Sequence, residues 1–250
     1  MAEYVKDSEY LPQMYKMLCA IEENEAEAMN RAAQAIYASL QKGGILHVFA
    51  TGHSHMIADE LFYRSGGLAP VNPLLVSDIM VYEGAVHSTL VERQSGVAKR
   101  ILDKFELRAG DCLLIASNSG INIAAIEAAE LAKERGLTVI CVTSVKTSRA
   151  LVSRCPEGKK LYQVGDIIID NHSPEGDGLL EVPQNGQRTG GASTFGILFI
   201  AQRIVLKVEN RFIEQGEIPP VFRSANIPGG DEFNRALIER YKERIAALRR

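Results

Sequence analysis

LLIASNSGINIAAIEAAELAKERGLTVICVTS (113–144) decides the fold. A short apolar run ends in Ser117, Asn118, Ser119, Gly120 and Asn122, a crowd of small hydroxyls and amides. Ile123, Ile126, Ala129 and Leu131 then recur near the helical period, and Gly136 stops them. A second apolar run, TVICVT (138–143), follows. Neither run alternates with polar residues, so both faces of these strands are covered, and strand–helix–strand closes a right-handed βαβ unit.

The pattern repeats outward. ILHVFA (45–50), PLLVS (73–77), CLLIAS (112–117), TVICVT and DIIID (166–170) read as five strands, with helices over about 54–65, 93–105, 122–135 and 147–153. The fold class is therefore α/β, a three-layer sandwich around a five-stranded parallel sheet. Residues 12–41 predict one long helix or two in succession, with Pro12 in the first turn and Gly43-Gly44 past the end. An apolar helix is expected over 191–209 and an amphipathic one over 231–248, joined by irregular IPPVFRSANIPGG (218–230). No repeat or low-complexity tract divides the chain. We expect one domain: a helical extension over about 1–42, a core over about 43–210, and a tail with its helix over 211–250.

With 250 residues, 46% of them hydrophobic, the chain can bury one substantial core. A net charge of −3 gives no reason to expect nucleic acid or a membrane as partner. Cys19, Cys112, Cys141 and Cys155 show no CxxC spacing, which fits a reducing setting. The start lacks a basic-then-apolar leader, and FGILFIAQRIV is interrupted by Gln202 and Arg203, so the expected location is the cytoplasm.

Ligands of an open parallel sheet bind beyond the carboxyl ends of the strands. Gly120 can turn backbone N–H groups into that crevice, and Ser119 and Asn122 add side-chain partners, an arrangement suited to a phosphate without a local Lys or Arg. The bland alternative is that Ser119 or Asn122 caps the helix. The first strand repeats the design with Thr51-Gly52-His53-Ser54-His55, which favours an anionic ligand. Asp78 could face a ribose, but neither loop supplies the glycines of GxGxxG.

FATGHSH together with IASNSGIN and AAELAKERGLTVICVTS resembles the sugar isomerase (SIS) phosphosugar-binding domain over about residues 35–210. TGGASTFG (189–196) resembles the Ser/Thr-rich start of that family's last helix. The tail PPVFRSANIPGGDEFN and the segment SDIMVYEGAVHSTLVERQSG are similar to a bacterial subgroup named after phosphoheptose isomerase. The resemblance implies a flavodoxin-like sheet and a phosphorylated sugar as partner. It places Ser54, Ser117 and Ser119 at the phosphate, with Asn122 where many members carry Ser or Thr; Gly52, Asn118 and Gly120 complete the two loops.

Aldose–ketose isomerisation needs a base and usually a ring-opening donor. Glu83 and His87 are the first pair, because the resemblance places their segment near the pocket; Glu60, Glu92 and His172 follow. His53 and His55 lack a nearby third ligand, so no metal is assigned, and no cofactor is expected. The leading expectation is a phosphosugar isomerase. A lyase or etherase acting on an amino-sugar phosphate, or a non-catalytic sensor, are the alternatives. Met14, Met17, Leu18, Ile21, Met29, Ala32 and Ile36 form a stripe expected to pair copies into a homodimer or tetramer, with Arg223, Ser224 and Asn226 near a pocket. The competing use of that stripe is to cover the chain's own sheet.

Overall fold

A computed structural model describes residues 4–249. Residues 1–3, at the start of the expected extension, and Arg250 lie outside the described residues. The five-stranded sheet is parallel throughout, in the order β2-β1-β3-β4-β5, with β1 Leu46–Ala50, β2 Val71–Pro73, β3 Cys112–Ala116, β4 Thr138–Thr143 and β5 Ile167–Asp170. This is the flavodoxin-like order, with the topological switch between β1 and β3.

Alternate residues divide the two faces, as the two-residue period of a strand requires. Leu46, Val48 and Ala50 of β1, with Leu114 and Ala116 of β3, join a core with α1 (Tyr10–Asn24), α2 (Ala26–Gln41), α3 (Met56–Leu61) and α9 (Ser193–Glu214). Phe49, Leu113 and Ile115 face the other way, toward α5 (Val97–Leu102), α6 (Ile123–Glu134), α8 (Leu161–Val164) and Val91 of α4 (Ala85–Val91). Removing a core side chain such as Leu114 should cost about 2–5 kcal/mol.

The helical extension is two helices. Met14, Met17, Ile21, Met29, Ala32 and Ile36 are all buried within the chain. Most of the stripe expected to meet a second copy thus covers the chain's own layers, and the competing use of it is the one observed.

Three other elements differ from the sequence expectations. The second strand lies at 71–73 instead of 73–77: Leu74 donates the last ladder bond to the Val48 carbonyl, then the chain leaves the sheet. Leu74 is buried without being in the strand, which is why the run looked like one. The helix expected over 93–105 is shortened to α5, which starts only after Gly96, because Gly96 adopts φ +79° and gives its N–H to the Glu127 carboxylate; α4 precedes the expected span. An antiparallel hairpin, β6 (Gly178–Glu181) and β7 (Arg188–Gly191), was not anticipated. It delivers Asp177, whose carboxylate accepts Ser193 N–H at 2.6 Å and Ser193 Oγ at 2.8 Å and so starts α9.

Below the sheet, at the amino ends of the strands, α10 (Gly230–Tyr241) and the turn after it pack Leu237, Ile238, Ile245 and Leu248 on Ile45, Ala69 and Phe222. Buried Asp111 is the polar centre there. It accepts from Ile45 N (3.0 Å), Arg108 N (2.8 Å) and Arg244 Nη2 (2.7 Å), and contacts His47 Nε2 at 3.0 Å. Asn72 Nδ2 approaches His47 Nδ1 at 3.0 Å, so the imidazole bridges Asn72 and Asp111. The tail is tied to this end: Leu68 bridges Val221, Arg223 bonds Asn234 through its backbone, and its guanidinium lies 3.8 Å from the Phe233 ring centre. Within one chain, Arg223, Ser224 and Asn226 therefore sit away from the hydroxyl loops.

Candidate functional site

Strand register brings the carboxyl ends together: Ala50 is opposite Ala116, Ala116 opposite Val142, and Thr143 opposite Asp170. The loops that follow β1, β3, β4 and β5 thus share one edge.

In the β3 loop, Ser117 N–H extends the ladder to the Val142 carbonyl. Gly120 has φ +61°, and a Cβ there would lie 2.6 Å from Thr143 Oγ1. Only glycine fits both the dihedral and the space. Asn118 holds the edge together: its Oδ1 accepts from Asn171 Nδ2 (2.9 Å) and Ser173 Oγ (2.6 Å), and its carbonyl accepts Ser144 N–H (2.9 Å). Asn122 stands at the N-cap of α6 without capping it. Its Oδ1 accepts instead from Arg154 Nη1 at 2.7 Å, while Arg154 N–H bonds the Ile121 carbonyl. Simple capping by Ser119 or Asn122 is therefore not what these residues do.

The hydroxyls at this edge fall into two groups. Thr51, Thr143, Ser144 and Ser173 donate to acceptors within the chain. Ser54, Ser117 and Ser119 have no side-chain partner among the described residues, although Ser117 is only 5% exposed, and neither does the fully buried Ser148 hydroxyl beside Gly120. Gly52, at φ +58°, opens the turn that carries Ser54.

Glu92 is the carboxylate of the site. Its Oε2 accepts from Thr51 Oγ1 at 2.5 Å, and its carbonyl accepts Ala124 N–H in the first turn of α6. Burial raises its pKa; the Thr51 hydrogen bond and the charges of Arg93 and Arg154 oppose that only in part. Glu92 therefore lies between the two hydroxyl loops, a position its sequence context, next to Arg93, did not reveal.

The other candidates are more scattered. Glu83 is exposed, and His87 lies 3.7 Å from Asp78 with both side chains open to solvent. Glu60 Oε1 accepts from Gln202 Nε2 at 2.6 Å and from Arg64, joining α3 to α9. His172 Nε2 meets Glu25 Oε1 at 3.0 Å, an interaction that raises its pKa. His53 is exposed, whereas His55 is buried with Nδ1 3.2 Å from Asp59, so the two imidazoles do not converge. Among the described residues no helix is long and apolar enough to cross a membrane. A groove of about 370 Å³ beside the end of β2, lined by Ser77, Asp78 and Lys104, includes none of the hydroxyl-loop residues.

Comparison with known proteins gives three findings. The SIS domain model matches residues 9–144. A UPF0309 protein of Caldanaerobacter subterraneus is 41% identical over 242 residues, covering 96% of this chain and 98% of its own. One from Geobacillus thermodenitrificans is 40% identical over 245 residues, with 96% of each chain covered. Among solved structures, a phosphoheptose isomerase from Neisseria gonorrhoeae superimposes with TM-score 0.54 at 19% identity, covering 80% of this chain and 95% of its own. A phosphoheptose isomerase from Francisella tularensis superimposes with TM-score 0.53 at 17% identity, covering 82% and 97%. At these identities the structural likeness is one of fold.

Proposed function

Because the chain belongs to the SIS domain family and to the UPF0309 proteins, we propose that it is a phosphosugar isomerase, with its ligand at the ends of β1 and β3. One observation carries this reading: among the described residues Ser54, Ser117 and Ser119 keep their hydroxyls uncommitted at an edge where Thr51, Thr143 and Ser173 are bonded. A phosphate oxygen is the acceptor such donors suit. The solved neighbours named as phosphoheptose isomerases support the same ligand class.

Glu92 is the proposed acid/base group. Its carboxylate removes the proton from the carbon next to the carbonyl, giving an enediolate, and returns it to the former carbonyl carbon while the proton of the neighbouring hydroxyl passes to the former carbonyl oxygen. A carboxylate held by Thr51 and raised by burial suits both halves of that transfer. Glu83 and His87, on an exposed segment, are the candidates for the ring-opening donor, and Glu60 contributes by fixing α3 against α9. The protein acts in the cytoplasm and as a homodimer. Phe195, Leu206 and Ile213 support self-association, because they leave an exposed apolar stripe along α9.

Incubation with a panel of aldose and ketose phosphates in D₂O, followed by NMR and mass spectrometry, tests the activity. Interconversion with solvent deuterium at the carbon next to the carbonyl is expected. Tight binding with neither exchange nor interconversion would make the protein a sensor, and an eliminated product would make it a lyase.

A further inference from the structure

The loop that follows β3 carries no charge of its own from Ser117 to Asn122, yet a phosphate at neutral pH brings close to two negative charges. The structure supplies a cation from elsewhere in the chain. Arg154, 32 positions beyond Asn122, is fixed to the loop twice: its backbone N–H bonds the Ile121 carbonyl at 3.0 Å, and Nη1 bonds Asn122 Oδ1 at 2.7 Å. Asparagine at an N-cap ordinarily bonds the amides of the first turn. Here it holds a guanidinium instead.

That guanidinium has donors to spare. Among the described residues no carboxylate lies within ion-pair distance of Arg154, although its charge acts on Glu92, and one of its five N–H donors is used in the bond to Asn122. Lys160 already gives Nζ to the Ser148 and Arg149 carbonyls, whereas Arg93, whose charge also acts on Glu92, makes no bond to the described residues of the β3 loop. Ser117, nine-tenths buried and without a side-chain partner, opens the same loop. We infer that Arg154 is a direct anion-binding residue of this site, its guanidinium fork bonding phosphate oxygens alongside the loop hydroxyls. The planar fork suits such bidentate contact, and a lysine would supply the charge without that geometry. The inference rests on the phosphate reading of the loop and adds its counter-charge.

The competing role for Arg154 is to hold Asn122 and nothing more, and a double-mutant cycle separates the two. The full chain, ¹⁵N-labelled, is titrated with inorganic phosphate and followed at the amides of residues 117–123. Four proteins are compared: wild type, Arg154→Met, Asn122→Ala and the double variant, with Arg154→Lys as a check on charge. Direct contact predicts at least about tenfold weaker phosphate binding in Arg154→Met, a similar loss when Asn122 is already Ala, and partial recovery in Arg154→Lys. Affinity within twofold of wild type in Arg154→Met overturns the inference and leaves the proposed function standing. A loss that vanishes in the Asn122→Ala background overturns it too, and reduces Arg154 to a positioning residue. If the wild-type loop amides do not respond to phosphate at all, the phosphate reading itself falls, and this inference with it.

Discussion

Thr51 Oγ1 donates to Glu92 Oε2 at 2.5 Å, joining the end of β1 to the residue that follows α4. The bond holds a largely buried carboxylate beside two loops of free hydroxyls. Glu92→Gln should lower kcat by about 10²- to 10⁴-fold, the usual contribution of a general acid/base. Burial raises this carboxyl's pKa, so its contribution to stability is complete below the ordinary carboxylate range and is lost as pH rises through the raised value. The same variant should therefore melt higher than wild type at pH 7, with the gap closing toward pH 4. Thermal scans across that range, paired with turnover, check both halves; a variant that is fully active would return the search to Glu83 and His87.

Ser54→Ala and Ser119→Ala should each weaken phosphosugar binding by about ten- to a hundredfold, because a hydrogen bond to a charged group is lost. Neither hydroxyl has a partner among the described residues, so stability should change little. Calorimetry with unchanged affinity in both variants would remove the site from these loops.

Gly120→Ala should destabilise the fold by about 1–3 kcal/mol through its positive φ, with more from the 2.6 Å approach to Thr143 Oγ1. Urea unfolding measures this directly. A near-neutral result would mean that the β3 loop moves freely at Gly120.

How much of this was legible in the sequence depends on distance along the chain. The sheet was legible because strands buried on both faces write unbroken apolar runs, as in β3 and β4. Gly96 was not read as a break because the flanking residues keep a helical pattern, and its positive φ is set by Glu127, 31 residues on. The hydroxyl loops stood out because their residues are contiguous. Glu92 was only one of several acid/base candidates and Arg154 was none: the first meets Thr51 across 41 positions and the second meets Asn122 across 32. Beside Arg93, Glu92 reads as a solvated helix residue, and Arg154 follows no motif. Only the packing of the loops gives either of them a neighbourhood.

His172 carries a pH effect of the opposite chemical type. Its bond to Glu25 raises the imidazole's pKa, so the stabilisation is complete below the ordinary histidine range and is lost as pH rises through the raised value. With both groups partly exposed, the bridge is worth less than about 1 kcal/mol. Glu25→Gln should flatten the fall in stability as pH rises above the ordinary histidine range. Identical pH profiles for variant and wild type would show the bridge to be energetically silent.

Sedimentation should find a dimer at micromolar concentration. Replacing Phe195 and Leu206 together with Asp should give a folded monomer, since both are exposed within one chain and their loss leaves its core intact. A wild-type monomer would end the dimer reading; a variant that stays dimeric would move the contact off α9.

The partnership of Asp111 and Arg244 spans 133 positions, and this has a consequence for birth on the ribosome. Synthesis at about 5–20 residues per second makes Asp111 wait roughly 7–27 s before its arginine exists. Through that interval His47 and the amides of Ile45 and Arg108 hold the carboxylate without its arginine, so the lower rim of β1 and β3 stays open to water on the side that Arg244 will cover. Chains stalled before Arg244 should accordingly be cut by protease near Asp111, and released chains should not.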